Sequence, residues 1–153
     1  MPNVHHTGTC DVPLDVVWNY LADFANIPEW LSGATRMQHL GGPAGGVGGM
    51  WKGTFQVPPV KFSSDIEITT WVDRETIAYE SRSGFSNQMT YRITPLAPER
   101  TRIVVDLDYR IPGGLAGRAL GKALAPIFAM TVDRADAALR AKLEQLYRER
   151  IDS

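Results

Sequence analysis

One long helix has to cover a broad sheet in this chain, and that mismatch constrains the fold more than any other feature. From Met50 to Arg110 the sequence is rich in β-branched and aromatic residues, with turn signals at Pro58-Pro59, Asp73-Arg74, Ser83-Gly84 and Ala97-Pro98-Glu99. Strands are expected near 50–57, 61–72, 76–82, 87–94 and 101–110. Pro112, Gly113 and Gly114 break the pattern, and Leu115 to about Arg150 reads as one helix with a stripe at Leu120, Leu124, Ile127, Thr131, Ala135 and Ala138. Arg118, Lys122, Asp133, Asp136 and Arg140 occupy its other side. Pro126 removes a hydrogen bond to the Lys122 carbonyl and is expected to bend the axis, helping the helix follow a curved sheet.

Ahead of the strands, Pro13 and Asp15 open a helical segment with Val16, Val17, Tyr20, Leu21 and Phe24 on one face, ending near Asn26. Pro28, Glu29, Trp30 and Leu31 suggest a second, very short helix. Gly41 to Gly49 holds six glycines and one proline and is expected to be a mobile loop. The element order is a first strand, two short helices, a run of antiparallel strands and a long helix. This predicts an α+β fold with a curved antiparallel sheet of about seven strands around the C-terminal helix, incompletely filled.

Alternation along the strands picks an inward face. It comprises Trp51, Gly53 and Phe55; Phe62, Ser64, Ile66, Ile68 and Thr70; Ile77 and Tyr79; Met89, Tyr91 and Ile93; and Ile103, Val105, Leu107 and Tyr109. Lys52, Asp65, Glu67, Glu80, Arg92, Asp106 and Asp108 fall on the wet face, so Asp65 and Glu67 are no acid pair for the interior. The expected cavity surface is Trp51, Phe55, Ile66, Ile68, Thr70, Tyr79, Met89, Tyr91, Leu107 and Tyr109 from the sheet, with Leu124, Ile127 and Thr131 from the helix. The hydroxyls of Tyr79, Tyr91 and Tyr109 either converge on a ligand or bond to backbone or water. Thr131 either orients a ligand or bonds its own helix carbonyl.

Composition narrows the function. The 153 residues fit one domain over 1–153 with a real core. Sixteen Lys and Arg against seventeen Asp and Glu lack the positive excess that a polyphosphate backbone requires, so nucleic acid is not an expected partner. The longest apolar run, Ala123 to Met130, is far short of the roughly 20 residues of a membrane span, and no transmembrane segment is expected. Cys10 has no disulfide partner and Met1 to Val12 lacks a leader pattern, which makes the cytoplasm the default location.

Chemistry-bearing residues are sparse. His5, His6 and His39 lack metal-ligand spacing and read as surface or strand-end residues, so no metal and no cofactor is expected. Cys10 shares the parity of Gly8, faces the core and behaves as a small hydrophobe. The glycine loop lacks a P-loop ending and reads as a flexible cavity rim. Trp18 and Trp30 belong to the short helices that close the bottom of the fold, leaving Trp51 as the cavity tryptophan.

Two motifs, Val12-Pro13-Leu14-Asp15-Val16-Val17-Trp18 and Asp23-Phe24-Ala25-Asn26-Ile27-Pro28-Glu29-Trp30, resemble the opening signature of the START-like superfamily, which includes polyketide cyclases and the birch-pollen-allergen fold. The glycine loop, Thr90-Tyr91-Arg92 and the helix after Pro-Gly-Gly extend the resemblance over nearly the whole chain. It implies a helix-grip fold with a hydrophobic ligand between sheet and helix. The chain departs from the aromatase and cyclase branch where that branch is most polar: Ala34 stands at a tyrosine position, Thr70 at an inward arginine and Leu107 at an inward amide.

The leading expectation is binding or carriage of a small hydrophobic metabolite of polyketide, isoprenoid, quinone or lipid type, by a monomer or weak homodimer. The alternative is a metal-free polyketide cyclase or dehydratase with Tyr91 and Tyr109 as candidate catalytic groups. A third is a regulatory module that binds a partner through the sheet's outer face.

Overall fold

The computed structural model describes residues 3–57, 60–110 and 114–152. The expected turn at Pro58-Pro59 and the break at Pro112-Gly113 lie outside the described residues. Among these, the chain forms seven strands: β1 (Asn3–Cys10), β2 (Ala34–Gly41), β3 (Met50–Val57), β4 (Val60–Val72), β5 (Thr76–Gly84), β6 (Ser86–Ala97) and β7 (Arg100–Arg110). They make one curved antiparallel sheet in the order β1-β7-β6-β5-β4-β3-β2. Helices α1 (Leu14–Leu21) and α2 (Ile27–Trp30) follow β1, with a 3-10 turn at Phe24–Asn26 between them, and α3 (Gly114–Asp152) closes the chain. This is the helix-grip arrangement.

Local chemistry explains the short helices. Asp15 sits in the first turn of α1, where a carboxylate complements the helix dipole, and Arg150 from the far end of α3 holds it at 2.7 Å. That hydrogen bond keeps the Asp15 carboxyl below its ordinary range. The Asp23 side chain accepts from Ala25 N at 3.1 Å and caps the 3-10 turn. Val17, Trp18, Tyr20 and Leu21 bury the inner face of α1, and Trp18 meets the edge of Trp71 at 5.3 Å between ring centres.

The phase of α3 differs from the expected stripe. Its buried positions are Gly117, Gly121, Leu124, Phe128, Val132, Ala135, Leu139 and Leu143, whereas Leu120 and Ala138 face solvent. The uninterrupted apolar run from Ala123 to Met130 is ambiguous in phase, and the C-terminal residues Val132, Leu139 and Leu143 fix the rotation. α3 is also long and apolar enough to cross a membrane by length and composition alone. The shortness of the Ala123–Met130 run therefore does not exclude a span, although α3 buries a face on the sheet as a core helix does.

The glycine loop is not a free rim. Gly48 N donates to Ile68 O and Ile68 N to Gly49 O, both at 2.9 Å, while Trp51 Nε1 donates to Ala44 O at 3.1 Å. These bonds pin the loop over Trp51 and Ile68, where paired backbone groups offset its conformational entropy.

Candidate functional site

The interior is divided into two clusters. The larger joins α1, α2 and the lower half of α3 to the sheet; the smaller is Phe85, Tyr109, Leu124 and Phe128 with Phe62 against them. A cavity of about 70 Å3 lies at the seam between them. Leu31 and Ser32 after α2, Phe55 on β3, Phe62 on β4 and Tyr79 on β5 line it. Phe85, Asn87 and Met89, with Leu107 on β7 and Phe128, Thr131 and Val132 on α3, complete the wall. A second chamber of about 30 Å3 adjoins it and shares Leu31, Met89 and Val132. A larger hollow of about 290 Å3 beside Asn19, Tyr20, Asn26 and Arg150 is an open surface groove, and it encloses nothing.

Several polar groups of the large cavity are engaged by their neighbours. Asn87 Nδ2 donates to Ser64 Oγ at 3.2 Å and Phe85 O at 2.9 Å. The Thr131 hydroxyl donates to Ile127 O at 2.9 Å, the helix-internal alternative. The hydroxyls of Tyr79 and Tyr91 stand 3.5 Å apart in a fully buried pair. Burial pushes Tyr79 up to about 12 and Tyr91 well above the ordinary phenol range. Both remain protonated at neutral pH, so they act as hydrogen-bond donors and not as bases. Among the described residues, no side chain lining the large cavity is a carboxylate, histidine, lysine or arginine.

Five of the expected surface residues, Phe55, Tyr79, Met89, Leu107 and Thr131, line the large cavity, and Tyr91 lines the small one with Met89. Trp51, Ile66 and Ile68 are buried beyond the wall, in the larger cluster. Tyr109 and Leu124 are buried in the smaller cluster, with Ile127 packed against it. Thr70 is corrected outright. Ile68 pairs with Tyr79 but Thr70 with Ala78, so Thr69 is an extra residue, a β-bulge that reverses the faces beyond it. Thr70 consequently shares the outward face of Ala78, and Trp71 turns inward onto Trp18.

The expected cavity surface lacked Leu31, Ser32, Phe62, Phe85, Asn87, Phe128 and Val132 of the large cavity, and His6, Trp30, Asp136 and Leu139 among others of the small one. His6 had a usable signal: the parity that puts Cys10 in the core also puts His6 inward two pairs up the strand. Its Nε2 lies 3.3 Å from Asp136 Oδ1, off the hydrogen-bond direction, and its Nδ1 lies 3.5 Å from Asp133. Gly8 makes the Asp136 position possible, because a Cβ there would stand 2.1 Å from the Asp136 Oδ1. Cys10 is buried as expected, and burial with nearby Glu144 raises its thiol to about 11.

Known structures repeat this architecture. A protein from Thermus thermophilus matches with a TM-score of 0.81 and 18% identity, over 95% of this chain and 99% of that one. A START superfamily protein from Mycobacterium smegmatis matches at 0.72 and 18%, over 94% and 98%. The Zhui aromatase/cyclase from Streptomyces sp. R1128 matches at 0.71 and 19%, over 98% and 95%. At these identities the likeness is one of fold. No curated protein matches the chain in sequence. The family model described as polyketide cyclase / dehydrase and lipid transport spans residues 1–144, the whole sheet and most of α3. With a START-like sheet closed over an apolar cavity, this chain belongs to the polyketide cyclase / dehydrase and lipid-transport family.

Proposed function

We propose that the chain binds and carries a small, largely hydrophobic metabolite in the cavity between α3 and the sheet. The observation that supports this best is the wall itself: rings and aliphatic side chains from Phe55, Phe62, Phe85, Phe128, Met89 and Leu107, with the Asn87 amide N–H group and the Thr131 hydroxyl donating to protein acceptors. A wall of this kind rewards apolar burial and offers no proton acceptor. Members of the family that carry lipids and members that cyclise polyketides share the fold, and the lack of a titratable base among the described residues of the large cavity favours carriage. Mass spectrometry of whatever stays bound after gentle purification, with titration by an apolar probe, tests this. Retention of an apolar metabolite is the expected result, and a protein that binds no probe and yields no extractable ligand overturns it.

The cyclase alternative has one specific observation in its favour, the buried Tyr79–Tyr91 hydroxyl pair at the junction of the two chambers. Neutral phenols there would stabilise an enolate oxygen by hydrogen bonding. Tyr109, the other candidate, lies behind Phe128 in the smaller cluster at 4.4 Å between rings, so catalysis would rest on Tyr91 with Tyr79.

A further inference from the structure

The outer face of α3 changes character along its length. From Asp133 onwards acidic and basic residues are intermixed, the pattern of a solvated helix. From Gly114 to Val132 there is no acidic residue, and the charges are those of Arg118 and Lys122. In this first half Leu115, Ala119, Ala123, Pro126 and Met130 follow one another at helical spacing on the side opposite the buried stripe of Gly117, Gly121, Leu124 and Phe128. All five are exposed, Leu115 by 81% and Met130 by 46%. Arg118 and Lys122, both exposed and one turn apart, form one edge of this face, and Leu120 borders the other.

The band runs for roughly 22 Å at the helical rise. It belongs to the stretch that gives α3 the hydropathy of a membrane span, of which only 28% is buried in the fold. A contiguous apolar surface left open on this scale marks an interface.

The charges decide what covers it. In a symmetric pair of copies the same patch meets itself, which would set Arg118 and Lys122 against their own equivalents with no acid in the face to answer them. An anionic lipid surface answers both features together. Its acyl region takes the apolar centre, and its headgroups take the two bases, whose long stems let the charges reach outwards from the edge. Leu124, Phe128 and Val132 commit the inner side of α3 to the protein, so the helix lies in the plane of the interface and does not cross it. We propose that the protein docks on anionic membranes through the outer face of α3 between Leu115 and Met130. This goes beyond the cavity function, since none of the residues of this face lines either chamber.

Co-sedimentation of the full chain with vesicles tests this, using phosphatidylcholine alone and an equal mixture of phosphatidylcholine and phosphatidylglycerol. The expected result is binding to the mixed vesicles that falls as salt is raised, and binding to phosphatidylcholine alone that is at least about tenfold weaker. Arg118→Gln combined with Lys122→Gln should weaken binding to the mixed vesicles about thirtyfold. Leu115→Glu combined with Met130→Glu should abolish it. All four side chains are exposed, and circular dichroism should show the wild-type fold in both variants. Should the glutamate variant fail to fold, the glutamine variant decides alone. A wild-type protein that binds neither vesicle, or binds both alike, overturns membrane docking, and so does binding that survives these substitutions in folded variants. A concentration-dependent dimer in light scattering that the glutamate substitutions dissolve would equally overturn it, assigning the face to a second copy of the chain.

Discussion

Replacing Thr131 by Leu should make the protein more stable and a poorer binder at the same time. Thr131 lines the large cavity, and its hydroxyl serves only the Ile127 carbonyl, which α-helical geometry already pairs with the Thr131 backbone N–H. Nothing polar is left unpaired by its removal. An unfilled void costs about 24 cal/mol per Å3, so leaving the 70 Å3 cavity empty forgoes about 1.7 kcal/mol. Leucine fills part of that space with the equivalent of about one methylene group, worth ~0.8 kcal/mol. Its better helix propensity adds a few tenths. The net gain should be about 1 kcal/mol, seen as a rise in Tm of about 2–4 °C by calorimetry. Ethylbenzene affinity, measured by titration calorimetry on the same samples, should fall, because ligand and leucine compete for one volume. A destabilised variant with unchanged affinity would refute the reasoning, since it would mean that the space is too well packed to accept carbon and is not where ligand binds.

Other perturbations test the surrounding wall. Phe128→Ala removes the ring that Phe62, Phe85 and Tyr109 pack around, and should cost roughly 3–5 kcal/mol in urea unfolding; a loss below about 1 kcal/mol would contradict the packing described. Cys10, raised from 9.0 to about 11, should alkylate with iodoacetamide at pH 8 about a hundredfold more slowly in the native protein than in urea, and comparable rates would refute its burial. Tyr79, pushed up to about 12, releases its proton in the unfolded chain first. Its contribution to stability is therefore complete below pH ~10 and is lost as pH rises towards 12. Tyr79→Phe should flatten that alkaline decline in a denaturation series, and an unchanged slope would argue against the pair.

The sheet and the long helix were legible because periodicity over ten or more residues averages out local exceptions. Single insertions are not legible in that way. Thr69 bulges out of β4 and sends Thr70 to the wet side, yet Thr69, Thr70 and Trp71 are all good strand residues and carry no mark of the register change. β2 went without predicted limits because it is an edge strand whose Thr35, Arg36, Gln38 and His39 are exposed, which removes the alternation that exposes a strand in sequence. The helix face was misjudged for the opposite reason, since Ala123 to Met130 is apolar all round. Phe128 and Val132, two of the missed wall residues, follow directly from that rotation, whereas Trp30 was assigned to the helices that close the bottom of the fold, and His6 was read as a surface or strand-end residue although its parity with Cys10 pointed it inward.

The two walls of the cavity differ in kind, and this bears on what the protein accepts. On one side Phe62, Phe85 and Phe128 pack with centroids 4.6 to 6.3 Å apart, and Tyr109 backs Phe128 at 4.4 Å. Flat rings held by other rings have few alternative rotamers, so this wall sets the orientation of a bound ring by stacking. The rest of the lining includes Leu31 and Met89 from the larger cluster, of which Met89 is unbranched and adaptable. At about 70 Å3 the cavity has less than half of the ~150 Å3 in which an engineered apolar void binds benzene. Any ring must therefore enlarge it, and the enlargement falls on the aliphatic side, where displacing a methionine opens the way to the small chamber and Trp30. Size selection thus depends on Met89, so Met89→Ile, stiff at its branched Cβ, should weaken ethylbenzene binding in titration calorimetry while leaving the aromatic wall in place, and unchanged affinity would argue against enlargement on this side.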